Sequence, residues 1–290
     1  MNVIITGANG FVGRHLSDKL ARKHELFLTS RSVNSDKADY LDLSDINSVK
    51  KYINKMSNMK IDVLVHTAGK LVSSGMTFDE QMDVFNENIT ITRNIVELIK
   101  KMEIKILINF SSMAVYPNES GIYNEKSEIR MSCNNDCLYG ASKFIAENIF
   151  DYALKSVSQI IHLRLAQIYG KGMREDRIIP VMWNSIVNNN EVIVYGDGKR
   201  TSNFIHVAKV CGIIDKMIDT PDINGVFNVG DKNITYLQLA ERLIKFFGNK
   251  TTKIIKIEQG STAQFVLDIG KITSLWRNVD NGKDKENEIL

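Results

Sequence analysis

The chain opens on the apolar run Val3-Ile4-Ile5-Thr6 and passes straight into Gly7-Ala8-Asn9-Gly10-Phe11-Val12-Gly13. A short strand, glycines at every third position and then an amphipathic stretch leave few folds open. Three glycines serve three needs: a tight turn, close approach of backbone to a pyrophosphate, and close packing of helix on strand. The helix that follows turns unpaired N–H groups and a positive dipole end toward the phosphates. In this setting the spacing reads as a dinucleotide turn; the alternative is a glycine-rich turn with no ligand.

Downstream, short apolar runs alternate with longer amphipathic ones, the βαβ rhythm of a parallel sheet. Strands are predicted at Val3–Thr6, Leu26–Thr29, Val63–His66, Ile106–Phe110 and Ile160–Leu165. Helices are predicted at Phe11–Arg22, Ser44–Lys55, Phe85–Met102 and Tyr139–Lys155. The strands are continuously apolar, as strands buried on both faces should be. After Arg164 the rhythm loosens, with helices expected at Ile178–Asn188, Val207–Ile218 and Leu237–Phe247, a strand at Val192–Tyr195 and a turn at Gly196-Asp197-Gly198. The expected fold class is α/β, a Rossmann-type doubly wound parallel sheet with a smaller C-terminal α/β lobe. Residues 1–165 form the dinucleotide domain, completed by segments around 203–230, and 166–290 form mainly the substrate lobe, with 281–290 a polar surface tail.

Charge excludes one class of function. With 37 basic and 34 acidic residues spread along the chain, the net +3 marks no nucleic-acid partner. Cys133, Cys137 and Cys211 form no closed disulfide set, and no nearby His completes a zinc site, so free thiols and no metal are expected. Met1 leads almost directly into the first strand, and no apolar stretch approaches the ~20 residues that span a bilayer. The expectation is a cytoplasmic protein without a membrane partner.

The end of the second strand bears on the choice of dinucleotide. A carboxylate there would accept the adenosine ribose hydroxyls, whereas a cation favours a 2′-phosphate. The chain reads Leu28-Thr29-Ser30-Arg31-Ser32, with no carboxylate. Arg31 leans toward NADP, with NAD and a solvated arginine as the alternative. Asp42, in Tyr40-Leu41-Asp42-Leu43, either meets the adenine or caps the helix near Ser44.

Tyr139 and Lys143 stand four residues apart, one turn along one helical face. A phenol ionises near pH ~10, and an adjacent ammonium favours the phenolate. Such pairs also arise by chance on exposed helices. A third element, Phe110-Ser111-Ser112-Met113-Ala114-Val115-Tyr116, lies at the end of the fourth predicted strand, where ligands sit in open α/β sheets. A turn-forming serine there would not account for the order glycine turn, strand-end serine, Tyr/Lys helix.

Taken together these residues resemble the extended short-chain dehydrogenase/reductase family, in its nucleotide-sugar epimerase, dehydratase and reductase branch. The resemblance takes in Thr6 to Gly13, His66-Thr67-Ala68-Gly69, Asn88, Ser112, Tyr139 with Lys143, Leu163-Arg164-Leu165 with Ile168-Tyr169-Gly170, and Gly196-Asp197-Gly198-Lys199 leading to Phe204-Ile205-His206-Val207. It implies a catalytic serine four residues before Tyr116, which is Ser112, with Tyr139 as proton donor and acceptor and Lys143 as its electrostatic partner. The implied cofactor residues are Gly7, Asn9, Gly10, Phe11, Val12, Gly13, Arg31, Asp42, Leu43, Ala68, Gly69, Asn88, Tyr139 and Lys143. Ser112, Met113, Ala114, Gln167, Arg177 and Ser202 are the implied substrate residues.

Departures from the family pattern narrow the expected chemistry. Its 4,6-dehydratases carry Asp-Glu where this chain has Met113 and Ala114, so dehydration is not expected. Its fucose-forming epimerase-reductases carry a cysteine at Ala114 and a histidine near Arg177, so epimerisation by deprotonation is not expected. The usual asparagine before Tyr-Gly is Gln167, a common aspartate is Lys209, and a diphosphate-gripping arginine falls at Ser202. Arg200, Lys199 or Arg177 replaces that charge, or all three are surface cations. The leading expectation is an NADP-linked reductase of a 4-keto-6-deoxysugar nucleotide. The alternative is a 4-epimerase retaining NAD, and a distant third is a non-catalytic dinucleotide sensor. A homodimer through the two long helices is also implied, with Ile89, Ile95 and Ile99 facing either the partner or their own sheet.

Overall fold

The computed structural model describes residues 1–32, 38–73, 75–131 and 136–275; Cys133 and the expected tail at 281–290 lie outside the described residues. In chain order the first half comprises β1 (Asn2–Thr6), α1 (Phe11–Leu20), β2 (Glu25–Ser30), β3 (Asp39–Tyr40), α2 (Ile46–Lys55) and β4 (Val63–His66). It continues through α3 (Phe78–Lys101), β5 (Ile106–Ser112), β6 (Gly121–Tyr123), α4 (Cys137–Ala153) and β7 (Gln159–Leu165). The second half holds β8 (Gln167–Tyr169), α5 (Ile178–Asn189), β9 (Glu191–Tyr195), β10 (Thr201–His206), α6 (Val207–Asp219) and β11 (Gly225–Val229). It ends with β12 (Lys232–Thr235), α7 (Tyr236–Phe247), β13 (Lys253–Ile257), β14 (Phe265–Leu267) and α8 (Gly270–Leu275).

Seven strands form one sheet in the order β11-β7-β5-β4-β1-β2-β3, and every pairing in it is parallel. Period-two alternation sorts its side chains onto two faces. On one face Val3, Ile5, Val63, Val65 and Ile108 pack with Leu16 of α1 and Val210, Ile213 and Ile214 of α6. On the other, Ile4, Leu64 and Leu107 pack with Val49, Ile95, Leu98, Ile99 and Phe150 from α2, α3 and α4. Covered on both sides, the strands need continuous apolar runs, and they have them. The order in which strands are added reverses between β1 and β4, whose carboxyl ends therefore open a crevice. A third core, with Met182, Val192, Phe204, Leu239 and Leu243, fills the smaller lobe.

Several boundaries differ from expectation for visible reasons. Helix α3 begins at Phe78, seven residues before the expected start, because Thr77 and Glu80 form a reciprocal capping box. Helix α2 begins at Ile46, and its cap is Asp45, which accepts from Asn47 N at 2.9 Å. Asp42 is therefore not that cap; its Oδ1 accepts from Ser44 N at 2.9 Å and Ser44 Oγ at 2.6 Å. Ile95 and Ile99 are 0% and 1% exposed in their own core, so they supply no partner-facing surface.

One buried network ties α4 to the sheet. Arg164 of β7 donates from Nε to Glu147 Oε1 at 3.1 Å and from Nη2 to Oε2 at 2.7 Å. Ser111 donates to the same carboxylate, and Arg164 Nη1 donates to Tyr116 Oη at 2.9 Å. Both members of the ion pair are 4% exposed in their side chains, so removing one leaves a charge without solvent or partner. Glu147→Ala should cost about 3–5 kcal/mol of stability in urea unfolding. A loss within about 1 kcal/mol, the range of exposed pairs, would show the network to be dispensable.

Candidate active site

The crevice opens into a cleft of about 860 Å³ that runs from the end of β2, past the glycine turn, to the smaller lobe. That is the size of a ligand pocket rather than a surface dimple.

At the turn, Gly7 adopts φ +70°, and a side chain at Gly13 would sit 2.2 Å from Gly7 O. Strand and helix can meet this closely only without those side chains. Gly10 caps α1, no side chain bonds the helix start, and no acidic residue occupies its first turn. The free N–H groups and the positive dipole end therefore face the cleft, as a pyrophosphate requires. Asn9, Phe11 and Val12 line the same wall, and Ala68 and Gly69 form the opposing one beyond β4.

At the adenosine end, Arg31, Asp42 and Leu43 line the cleft. Arg31, on which the expectation of NADP rests, donates to Glu87 of α3 at 2.7 Å. Lys70 donates to the other oxygen of Glu87 at 2.8 Å. Neither Glu87 nor Lys70 was singled out in the sequence, since each becomes informative only beside Arg31. Asn88 lies behind the wall instead of on it. It accepts from Lys70 N at 2.9 Å, and its Nδ2 donates to Lys70 O at 3.1 Å and to Ser142 Oγ at 3.3 Å. Its place in the structure is to hold the β4 loop and α4 together.

The reacting end forms where α4 crosses the end of β5. Gly140 allows the crossing, because a side chain there would meet Ala114 O at 2.1 Å. Tyr139 and Lys143 are thereby brought to Ser112, whose hydroxyl hydrogen-bonds the phenol and accepts from Ala114 N at 3.1 Å. Burial pushes the Tyr139 phenol up to about 12; the Arg177 charge and the Ser112 hydrogen bond pull it down, and the Asp136 charge adds to the rise. Burial lowers Lys143 to about 8. Its ammonium donates to Phe110 O at 2.9 Å and lies 5.7 Å from the Tyr139 ring centroid. Arg177 thus adds a second positive charge on the side of the phenolate. Asp136 was not anticipated; its position three residues before Tyr139 was the available signal.

Met113, Ala114, Gln167, Arg177 and Ser202 line the cleft beyond Ser112. Gln167 donates to Ser202 Oγ at 2.9 Å, which joins the two family departures in one contact. Arg200 also lines the cleft, its guanidinium 5.2 Å from the Tyr236 ring centroid. Lys199 is 69% exposed and pairs with Asp197, which makes it a surface cation. Lys209 pairs with Asp231 at 2.7 Å. Among the described residues one group has metal-ligating spacing, His24 with Asp215 and Asp219, and the Lys23 ammonium bonds both of its carboxylates. No described helix is long and apolar enough to cross a membrane.

The sequence profile of the NAD dependent epimerase/dehydratase family matches residues 3–230. A dTDP-D-glucose 4,6-dehydratase of Dictyostelium discoideum is 27% identical over 269 residues, covering 83% of this chain and 61% of that relative. A dTDP-4-dehydro-6-deoxy-D-allose reductase of Streptomyces sp. is 23% identical over 264 residues, 85% of this chain and 81% of its own length. Among solved structures, the UDP-glucuronic acid 4-epimerase of Bacillus cereus, in complex with UDP-glucuronic acid and NAD, superposes with a TM-score of 0.80 at 21% identity, covering 100% of this chain and 96% of that one. That likeness speaks for the fold. The strand–glycine turn–helix opening, the Ser112, Tyr139 and Lys143 cluster and a profile match over most of the chain agree: the protein belongs to the NAD dependent epimerase/dehydratase family, a branch of the extended short-chain dehydrogenases/reductases.

Proposed function

We propose that this chain reduces the 4-keto group of a nucleotide-activated 6-deoxysugar. The observation that carries this reading is the cleft lining beside Ser112, where Met113 and Ala114 offer no ionisable group. Those are the positions from which dehydratases of the family draw their acid and base. Tyr139, next to Ser112, is the proton donor, and burial is the largest influence on its phenol, raising it to about 12.

When bound, the reduced nicotinamide dinucleotide supplies a hydride to the keto carbon. Tyr139 gives its proton to the oxygen as the carbonyl electron pair moves onto it. Ser112 stands within hydrogen-bond reach of Tyr139 and holds that oxygen in line. Lys143 presents an ammonium to the cofactor side of the cleft, next to Gly69. Arg177 places positive charge where the phenolate forms, which lowers the cost of the transfer. Arg200 and Arg177 are the cleft-lining cations available to a diphosphate. The adenosine end, not the reacting end, decides between NAD and NADP.

Supplied with 4-keto-6-deoxysugar nucleotides, the protein should consume reduced coenzyme stoichiometrically, read at 340 nm. Isomerisation of a sugar nucleotide with no net absorbance change would identify a 4-epimerase in its place. Tyr139→Phe should lower turnover by about 10²–10⁴-fold while coenzyme still binds. An unchanged rate would end the mechanism.

The pH profile carries a second test. Tyr139 stays protonated through neutrality, so it sets no alkaline limit there. Lys143 is charged below about 8 and loses its proton as pH rises through that value. Hence kcat/KM should fall on the alkaline side with an apparent pKa near 8. Lys143→Arg, whose guanidinium stays charged past pH ~12, should move that limb out of range even where the maximum rate drops. An alkaline limb unmoved in Lys143→Arg would assign it to another group.

A further inference from the structure

Coenzyme selection is a separable problem, because it is settled far from the reacting atoms. In a dinucleotide fold the carboxyl end of the second strand faces the adenosine ribose. Here that end carries Arg31 and no carboxylate, yet a carboxylate from another element meets the Arg31 guanidinium. Glu87 of α3 lines the cleft, bonded to Arg31 at 2.7 Å through Oε1 and to Lys70 at 2.8 Å through Oε2.

We infer that Glu87 is the coenzyme-selecting residue, and that it makes the adenosine end a ribose-diol site favouring NAD over NADP. This rests on the dinucleotide-binding part of the proposed function and goes beyond it by naming the coenzyme and the residue that chooses it.

Three features support the assignment. The first is hydrogen-bonding capacity. An ionised carboxylate has about four lone-pair sites. Arg31 and Lys70 take one on each oxygen, so each oxygen keeps a site for a ribose hydroxyl. The second is charge. A phosphate monoester carries roughly two negative charges near neutrality and has no proton to give. Beside Glu87 it meets a like charge, and it can recruit Arg31 and Lys70 only by displacing the carboxylate that already holds them.

The third is rigidity. The Glu87 side chain is 19% exposed, while Arg31 is 60% and Lys70 39% exposed. The carboxylate is thus the anchored member and the cations are its movable partners. Next to it, Asn88 clamps the Lys70 backbone from both sides, at 2.9 and 3.1 Å. Burial opposes ionisation of Glu87, but the hydrogen bonds from Lys70 and Arg31 outweigh it and hold the carboxyl below the usual range. Glu87 therefore stays charged at the pH where the coenzyme binds. Arg31 becomes the residue that orients the selector, in place of a ligand for 2′-phosphate.

Fluorescence titration of NADH and NADPH, without any sugar, tests the inference on the full chain. Wild type should bind NADH at least about tenfold tighter than NADPH. Glu87→Gln keeps the shape, removes the charge and frees both cations, so it should tighten NADPH about tenfold and weaken NADH. Arg31→Ala should leave the preference for NADH in place, since Lys70 still holds the carboxylate. A wild type that prefers NADPH, a Glu87→Gln ratio within about twofold of wild type, or a selective loss of NADPH in Arg31→Ala would each overturn it. Failure of wild type to bind either coenzyme would remove the proposed function as well. Binding of both with a preference indifferent to position 87 would sink this inference alone. Circular dichroism of each variant confirms that the comparison is between folded proteins.

Discussion

Helix α4 crosses the end of β5 at a point where Gly140 faces the carbonyl of Ala114, and the side chain any other residue would place there has no room. Everything at the reacting end depends on that approach. It sets Tyr139 beside Ser112 and turns the Lys143 ammonium toward Phe110 O and the loop beyond β4. The crossing is then locked two turns along the helix by Glu147, which is bonded to Arg164 and Ser111 inside the sheet. Steric permission at one end and a buried ion pair at the other hold the catalytic helix in register with the strand that carries the serine.

Burial gives the assembled groups their chemistry. Water would leave a phenol near 10 and a lysine above 10. In this cleft the phenol becomes a weaker acid and the ammonium a stronger one, and both shifts have the same main cause, loss of solvent around the charged form. In the proposed reaction Tyr139, with Ser112 and Arg177 around it, gives up its proton as negative charge develops in front of it. This is stabilisation of a transition state by groups already in place, with little reorganisation required.

The cleft divides its labour along its length. Relatives by sequence are a dehydratase and a reductase by name, and an epimerase superposes over the whole chain. A shared sheet and glycine turn therefore leave the reaction open, and the reaction is decided by side chains on a few loop positions. In this chain the cleft is apolar at Met113 and Ala114, and the cations Arg177 and Arg200 reach it from the smaller lobe. Between the end of β2 and the loop beyond β4, Glu87 gathers Arg31 and Lys70 into a charge cluster.

Local pattern was enough to read most of the framework from the amino acids. Strand β4 matches its expected bounds, and the glycine turn, the strand-end serine and the Tyr139 and Lys143 helix stand where their periodicity and spacing place them, because those signals arise within a few residues of one another. The Thr77 and Glu80 capping box is equally local, and it starts α3 ahead of the apolar periodicity. Short strands such as β6 and β14 had no local signal, since each exists only through pairing with the other across the chain. The same limit applies to the site. Sequence alone determined that a dinucleotide turn and a Ser/Tyr/Lys set are present. Only the tertiary structure decided that Arg177 shares the cleft with Tyr139, that Asn88 braces the wall from behind, and that Arg31 is answered by Glu87, 56 residues away. Charges interact through space, and the chain does not reveal which of them will meet until the sheet has brought them together.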